Sequence, residues 1–418
     1  MIIEKVFLRV LCTRDFASLW VAGLISQIGD RLNEVALIIL VYRLSGSSTV
    51  SVGQVMLFAT LPAALLSPIT GVYVDRWDRK KTMIVADLVR ALLIALLPFS
   101  RSLAQIYLIT FLVAVASQCF EPAKSAFIPH LVRDEELTAA NSLASFGFQL
   151  AKVLGPALAG ILVVAAGASA AFYLNALSFV LSALALSLIK TDSTPITKAQ
   201  SSLRQVGQDL VEGLRFMSQQ RLVLYLTLLM FLATLGAGAS PIMILPFTEQ
   251  VLQVNMNWYG VIVGTMGVGM ILGSILVGGV GQRIAELSLL RSGLLLTGVA
   301  YLAFANLPYL PLTLVLRLLV GIGWIAFTIA MTTALQRATP DAFRGRVFAC
   351  FLAAMRLSSA LSMWAMGIVA DVLPIQLVLS LLGLFMLGAG LLSLWWLAPV
   401  GAAVSLTINS TGQERSEL

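Results

Sequence analysis

Asp30, Arg31 and Glu34 fall within five positions of one another in the middle of an otherwise apolar run, 16–42. An ionisable side chain at mid-bilayer costs on the order of 2.5–3.5 kcal/mol, so one that persists faces a cavity or a partner. On a helix Asp30 and Glu34 share a face, and Arg31, three residues before Glu34, can neutralise it. One carboxylate is then left to take up and release a proton: Asp30 if Arg31 pairs with Glu34, Glu34 if the pairing is reversed. The plain alternative is a closed cluster that only ties this helix to a neighbour. Lys152, Arg317 and Arg356 also stand inside apolar runs, with no carboxylate at helical spacing. They must pair across helices or meet substrate, and in a cavity they favour an anionic group. Glu121, near the end of its run, is a further cavity candidate. Its bland reading, shared with Glu249 and Asp371 near helix ends, is solvation at the interface. Arg90 follows Asp87 by three residues and can pair with it. The single histidine, His130, lies between apolar runs, so any proton path through the core must use a carboxylate. Cys12, Cys119 and Cys350 show no paired spacing, which argues against a metal or disulfide framework. No phosphate-binding Gly-x-x-x-x-Gly-Lys-Ser/Thr loop and no nucleophile with a placed base occurs, so neither an ATP motor nor an enzyme with a cofactor is expected. Gly267-Val-Gly269 sits among small residues four apart, a helix-packing pattern and not a dinucleotide loop.

The elements that position these charges are membrane helices. Of the 418 residues 59% are apolar and 11% charged, against about 25% charged in a soluble domain. Apolar runs at 16–42, 49–72, 82–100, 103–122, 137–166, 169–189, 222–248, 257–281, 289–307, 311–331, 347–370 and 375–397 predict twelve spans and an all-α membrane protein. Twenty of the 27 Lys and Arg residues fall in, or within three residues of, segments on the side of the N-terminus, and only Arg43 and Arg101 in segments on the other. That asymmetry predicts cytosolic N- and C-termini in a bacterial-type inner membrane, and it accounts for the net charge of +7 without nucleic acid. The expected organisation is a six-helix bundle over 1–189, a cytosolic linker over 190–221, a second six-helix bundle over 222–398 and a cytosolic tail over 399–418. Within the linker Leu203, Val206, Leu210, Leu214 and Met217 share one face, which predicts an amphipathic surface helix. A shift of 207 positions lays Gly53 on Gly260, Gly71 on Gly278, Arg76 on Arg283, Phe120 on Phe327, Asp134 on Asp341 and Gly160 on Gly367 without a gap. Two parallel halves related by a pseudo-two-fold axis along the membrane normal follow, an architecture of transporters.

Between the second and third runs the chain reads Gly71-Val-Tyr-Val-Asp75-Arg76-Trp77-Asp78-Arg79-Lys80-Lys81. This resembles the loop signature of the major facilitator superfamily, with Asp78 where a glycine is usual. The resemblance implies a gating loop of Gly71, Asp75, Arg76, Arg79 and Lys80, in which Asp75 latches onto the start of the eleventh span near Arg344 and Arg346. Gly155, Pro156 and Gly160 resemble the superfamily's antiporter packing signature, with Ala151 and Ala159 at usual glycine positions. Arg317-Leu-Leu-Val-Gly321-Ile-Gly323 is similar to the arginine-glycine motif of the fourth span but lies in the tenth, so its role is not carried over. The segments FASLWVAGLISQIGD, FEPAKSAFIPHLV and PDAFRGRVFA resemble the exporter branch that includes enterobactin and macrolide efflux proteins; the second also resembles lysophospholipid transporters. The resemblance implies a monomeric secondary transporter that exports a drug- or siderophore-like amphipathic molecule by alternating access in exchange for protons. A lysophospholipid flippase of the same fold, taking a lipid-like substrate from the membrane lipids, and a non-transporting receptor are the alternatives.

Overall fold

A computed structural model describes residues 9–74, 77–191, 203–255, 257–280 and 284–396. The chain forms α1 (Arg14–Leu44), α2 (Thr49–Val74), α3 (Arg79–Leu96), α4 (Leu103–Phe127), and a segment Leu137–Ser187 that breaks at Gly167 into α5 (137–166) and α6 (168–187). Then come α7 (Leu203–Gln219), α8 (Arg221–Val251, ending in a π-helical turn), α9 (Asn257–Val280), α10 (Glu286–Asn306), α11 (Leu310–Ala338), α12 (Asp341–Ala370) and α13 (Ile375–Trp396). All but α7 run lengthwise through the molecule, giving six helices on either side of it. Nine of the described helices are long and apolar enough by composition alone to cross a membrane. α1 is long enough at 31 residues, but Asp30, Arg31 and Glu34 dilute it in the middle.

The break at Gly167 has a direct cause. Its φ of 81° and ψ of 168° fall in a region open essentially only to glycine, and there the chain turns back. Elsewhere the ends are set by capping: Asp78 accepts from the Lys81 backbone N–H at 3.1 Å, and Ser102 from that of Gln105 at 3.3 Å.

The two halves repeat one pattern of neighbours. In the first half α1 packs on the α5–α6 segment, α2 on α4, and α3 on α4 and the α5–α6 segment. In the second half α8 packs on α12 and α13, α9 on α11, and α10 on α11 and α13. Two seams join the halves, α2 against α12 and α9 against the α5–α6 segment. Glycines let the first seam close: a Cβ on Gly53 would lie 2.7 Å from the Met363 carbonyl oxygen, and one on Gly367 would lie 3.1 Å from that of Thr49. The helix α7 lies at one end, the linker end, bound to the second half through Arg346–Glu212 at 2.8 Å and the stacked rings of Phe216 and Phe343. The opposite end, where α1 passes into α2 and α12 into α13, is the far end.

Candidate transport site

The charged stretch of α1 is placed by two glycines. Gly29 lies against Asn175 and Ser178 of α6, with no room for a Cβ, and Gly155 of α5 lies just as tightly on the Cβ and Cγ of Arg31. The helix α5 and the α1 charges are therefore in direct contact. Arg31 Nη1 donates to Glu34 Oε2 at 2.6 Å, both side chains being about one-third exposed. Asp30 is half-buried and, among the described residues, has no hydrogen bond or ion pair. Arg90, Arg31, Asp87 and Glu121 all act on it electrostatically.

Behind Asp30 lies a dry ion pair. Arg90 Nη2 donates to Asp87 Oδ1, with the side chains 5% and 0% exposed. The guanidinium is also held between the rings of Phe120 and Phe179, 4.5 and 4.2 Å from their centroids. A buried cation needs such partners, since an uncompensated one costs several kcal/mol. Glu121 points outward and sits 3.8 Å from Lys124 Nζ. Lys124, not singled out from the sequence, is itself buried against α1 beside Gly23. Its i,i+3 spacing from Glu121 was the available signal.

The second half carries a different cation. Arg317 is 2% exposed and packed inside α8, α9, α10 and α11, donating to Ser240 Oγ at 3.3 Å and contacting Met266 Sδ at 3.4 Å. Phe304 lies 5.8 Å below its guanidinium, and Tyr301 and Tyr259 act on it electrostatically. Arg317 thus lies within the second half and not on an open wall. Arg356 of α12 is exposed and, among the described residues, has no ion-pair or hydrogen-bond partner. It stands seven residues before Met363, which puts it on the face of α12 that meets α2, two turns toward the linker end. The side chains of Lys152, Pro156 and Gly160 lie outside the described residues, although α5 passes through all three positions.

Of the gating-loop residues, Gly71 is on α2, and Asp75 and Arg76 lie outside the described residues. Arg79 is buried and donates to the Ala126 carbonyl at 2.9 Å, and its Nη1 approaches His130 Nε2 to 3.1 Å. Lys80 Nζ donates to the Ile189 carbonyl at 2.6 Å. Both cations therefore sit at the C-terminal ends of helices of their own half, α4 and α6, where the helix dipole is negative.

At the far end Asp371, read from the sequence as a solvated helix-end acid, is bound across the molecule. Its Oδ1 accepts from the Thr49 backbone N–H at 2.9 Å and from Thr49 Oγ1, and its Oδ2 accepts from Ser48 Oγ at 3.0 Å. Gln250 Nε2 also donates to Tyr42 Oη at 3.2 Å. These hydrogen bonds tie the two halves together at the far end.

Known proteins share this arrangement. A family described as transmembrane secretion effectors, within the major facilitator superfamily, matches residues 8–414. An MFS-type transporter of Bacillus subtilis, YfiS, is 28% identical over 88% of this chain and 90% of its own. The multidrug efflux pump Tap of Mycolicibacterium fortuitum is 24% identical over 90% and 93% of the two chains, and macrolide efflux protein A of Streptococcus pyogenes is 23% identical over 85% and 89%. Among solved structures, a bacterial homologue of the human lysosomal transporter Spinster, inward-facing and unoccupied, superposes with a TM-score of 0.71 at 16% identity, covering 93% of this chain and 96% of that one. The helix order, the two seams and the match along almost the whole length show that this chain belongs to the major facilitator superfamily, as a multi-pass membrane transporter of its secretion-effector family.

Proposed function

We propose that the protein is a secondary active exporter of amphipathic small molecules that works by alternating access in exchange for protons, its linker end in the cytosol. One observation carries the coupling. Among the described residues, each cation acting on Asp30 has a carboxylate of its own, Arg31 with Glu34 and Arg90 with Asp87. Asp30 can therefore gain or lose a proton without stranding a buried positive charge, which is the requirement for a site that titrates in every cycle. Export as the direction, and a drug-like substrate, are supported by the similarity to the multidrug efflux pump Tap and to macrolide efflux protein A. Arg356, on the α12 face between the halves, and Lys152 on α5 are the cations proposed to meet an anionic group of the substrate, with Glu121 at the linker-end rim. Arg317 is enclosed too well for that without a rearrangement, and its proposed part is to hold α8, α9 and α10 around α11.

The test uses the purified protein in proteoliposomes with a labelled macrolide as probe. Asp30→Asn is expected to abolish accumulation driven by a proton gradient while leaving downhill exchange of labelled for unlabelled macrolide. Uphill transport by Asp30→Asn at the wild-type rate would remove Asp30 as the proton carrier.

A further inference from the structure

The α2–α12 seam carries a carboxylate, Asp371, at its far end. α2 and α12 run in opposite directions, so the C-terminus of each lies beside the N-terminus of the other. At the far end Asp371, just past the last turn of α12, caps α2: one oxygen takes the Thr49 N–H and hydroxyl, the other the Ser48 hydroxyl. A carboxylate at a helix N-terminus satisfies an otherwise unpaired N–H and meets the positive end of the dipole. Here the cap comes from the other half of the molecule, 322 residues away. The Thr49 hydroxyl, which is buried, has one proton to share between Asp371 and the Gly367 carbonyl, both within reach. The two glycine contacts lie directly beneath, so the cap closes over the tightest part of the seam.

Among the described residues the second seam shows no such device. Under the repeat offset Asp371 corresponds to Val164 and Thr49 to Met256, and the loop residue Asp75 corresponds to Gln282.

We propose that Asp371 is the far-end gate residue: a cap supplied in trans that holds the far end shut and must let go of Thr49 before the linker end can close. This rests on the alternating-access reading above. It adds a named residue at the far end of the α2–α12 seam on which that exchange depends.

The experiment is distance measurement between spin labels in lipid nanodiscs, on the full chain with its three native cysteines replaced. Leu44→Cys with Val372→Cys reports the far end, and Glu135→Cys with Gln336→Cys reports the linker end. Wild type is expected to show two distance populations at each end whose weights change in opposite senses between acidic and alkaline buffer. Asp371→Ala is expected to shift the far end toward the long distance by about tenfold in population ratio, in line with hydrogen bonds to a charged group, and the linker end toward the short one. Thr49→Val, which keeps the carboxylate, should shift both in the same sense, and Thr49→Ser should restore the wild-type weights. That pair guards against a folding defect in Asp371→Ala. Two populations in wild type that neither Asp371→Ala nor Thr49→Val moves would overturn the gate while leaving alternating access standing. A single population in wild type under both conditions would overturn alternating access, and the gate with it.

Discussion

Arg90 and Arg31 show how much a charge on these helices depends on its immediate surroundings. Arg90 is enclosed with Asp87 and two aromatic rings, and Arg31 is fixed by Glu34 on one side and Gly155 on the other. Asp87→Asn would leave the Arg90 charge buried without its anion and should cost about 3–5 kcal/mol of stability. Replacing both members, Asp87→Leu with Arg90→Met, removes the stranded charge and should recover most of that loss; thermal unfolding in detergent checks the difference. If the single and double variants melt together, the pair is not what holds α3 in place. Gly155 makes a separate prediction. Its added Cβ would overlap the Arg31 stem, so Gly155→Ala should cost about 1–3 kcal/mol by overpacking. The cost should fall when Arg31→Gly removes both the Cβ and the Cγ it would meet, giving a non-additive double-mutant cycle; strictly additive costs would mean that the strain lies elsewhere. Both i,i+3 pairs could be read from spacing, because helix geometry brings those positions together whatever the rest of the chain does. Asp371 could not: its partners come from the other half, and an acid at a helix end looks solvated until the opposite helix is in view.

Among the elements, the apolar runs locate the membrane helices but not their full length. The run 311–331 becomes Leu310–Ala338, and 347–370 becomes Asp341–Ala370. Hydropathy measures only the part of a helix that meets lipid, whereas hydrogen bonding carries these helices on through polar turns. At the linker end the added turns hold Arg337, paired with Glu286, and Arg346, paired with Glu212. The run 82–100 begins instead at Arg79, because Asp78 caps the helix three residues earlier than its first apolar stretch. The gap between the runs at 166 and 169 is the Gly167 turn, and it rests on a backbone conformation that a Cβ disfavours. Gly167→Ala should therefore cost about 1–3 kcal/mol, although open space surrounds the position. A melting temperature equal to wild type would show that the turn relaxes into another conformation. The surface helix α7 was legible from its one apolar face, but its attachment to α12 was not, since that depends on Phe343 and Arg346 over a hundred positions away.

For the whole molecule, the arrangement of charge supports the proposal that the linker end faces the cytosol. Twenty basic residues belong to segments at the linker end or to the terminal segments that lead into it, and two belong to segments at the far end. Retention of Lys and Arg on the cytosolic side sets orientation during insertion, and an imbalance this large leaves little room for the inverted topology. The proposed gate gains its meaning from the same axis: with the linker end inside, a molecule whose halves are tied at the far end by Asp371 and Gln250 is closed to the outside. Orientation can be read with one native and one introduced thiol. Cys12 is exposed near the start of α1 at the linker end, and Val372, 80% exposed, stands just past α12 at the far end. In intact cells, with Cys119 and Cys350 replaced, a membrane-impermeant maleimide should label Val372→Cys and spare Cys12 until the membrane is permeabilised. The reverse pattern would invert the protein. It would place the Asp371 gate on the cytosolic side and turn the proposed exporter, with the same helices and the same seams, into a carrier whose closed end faces the cell interior.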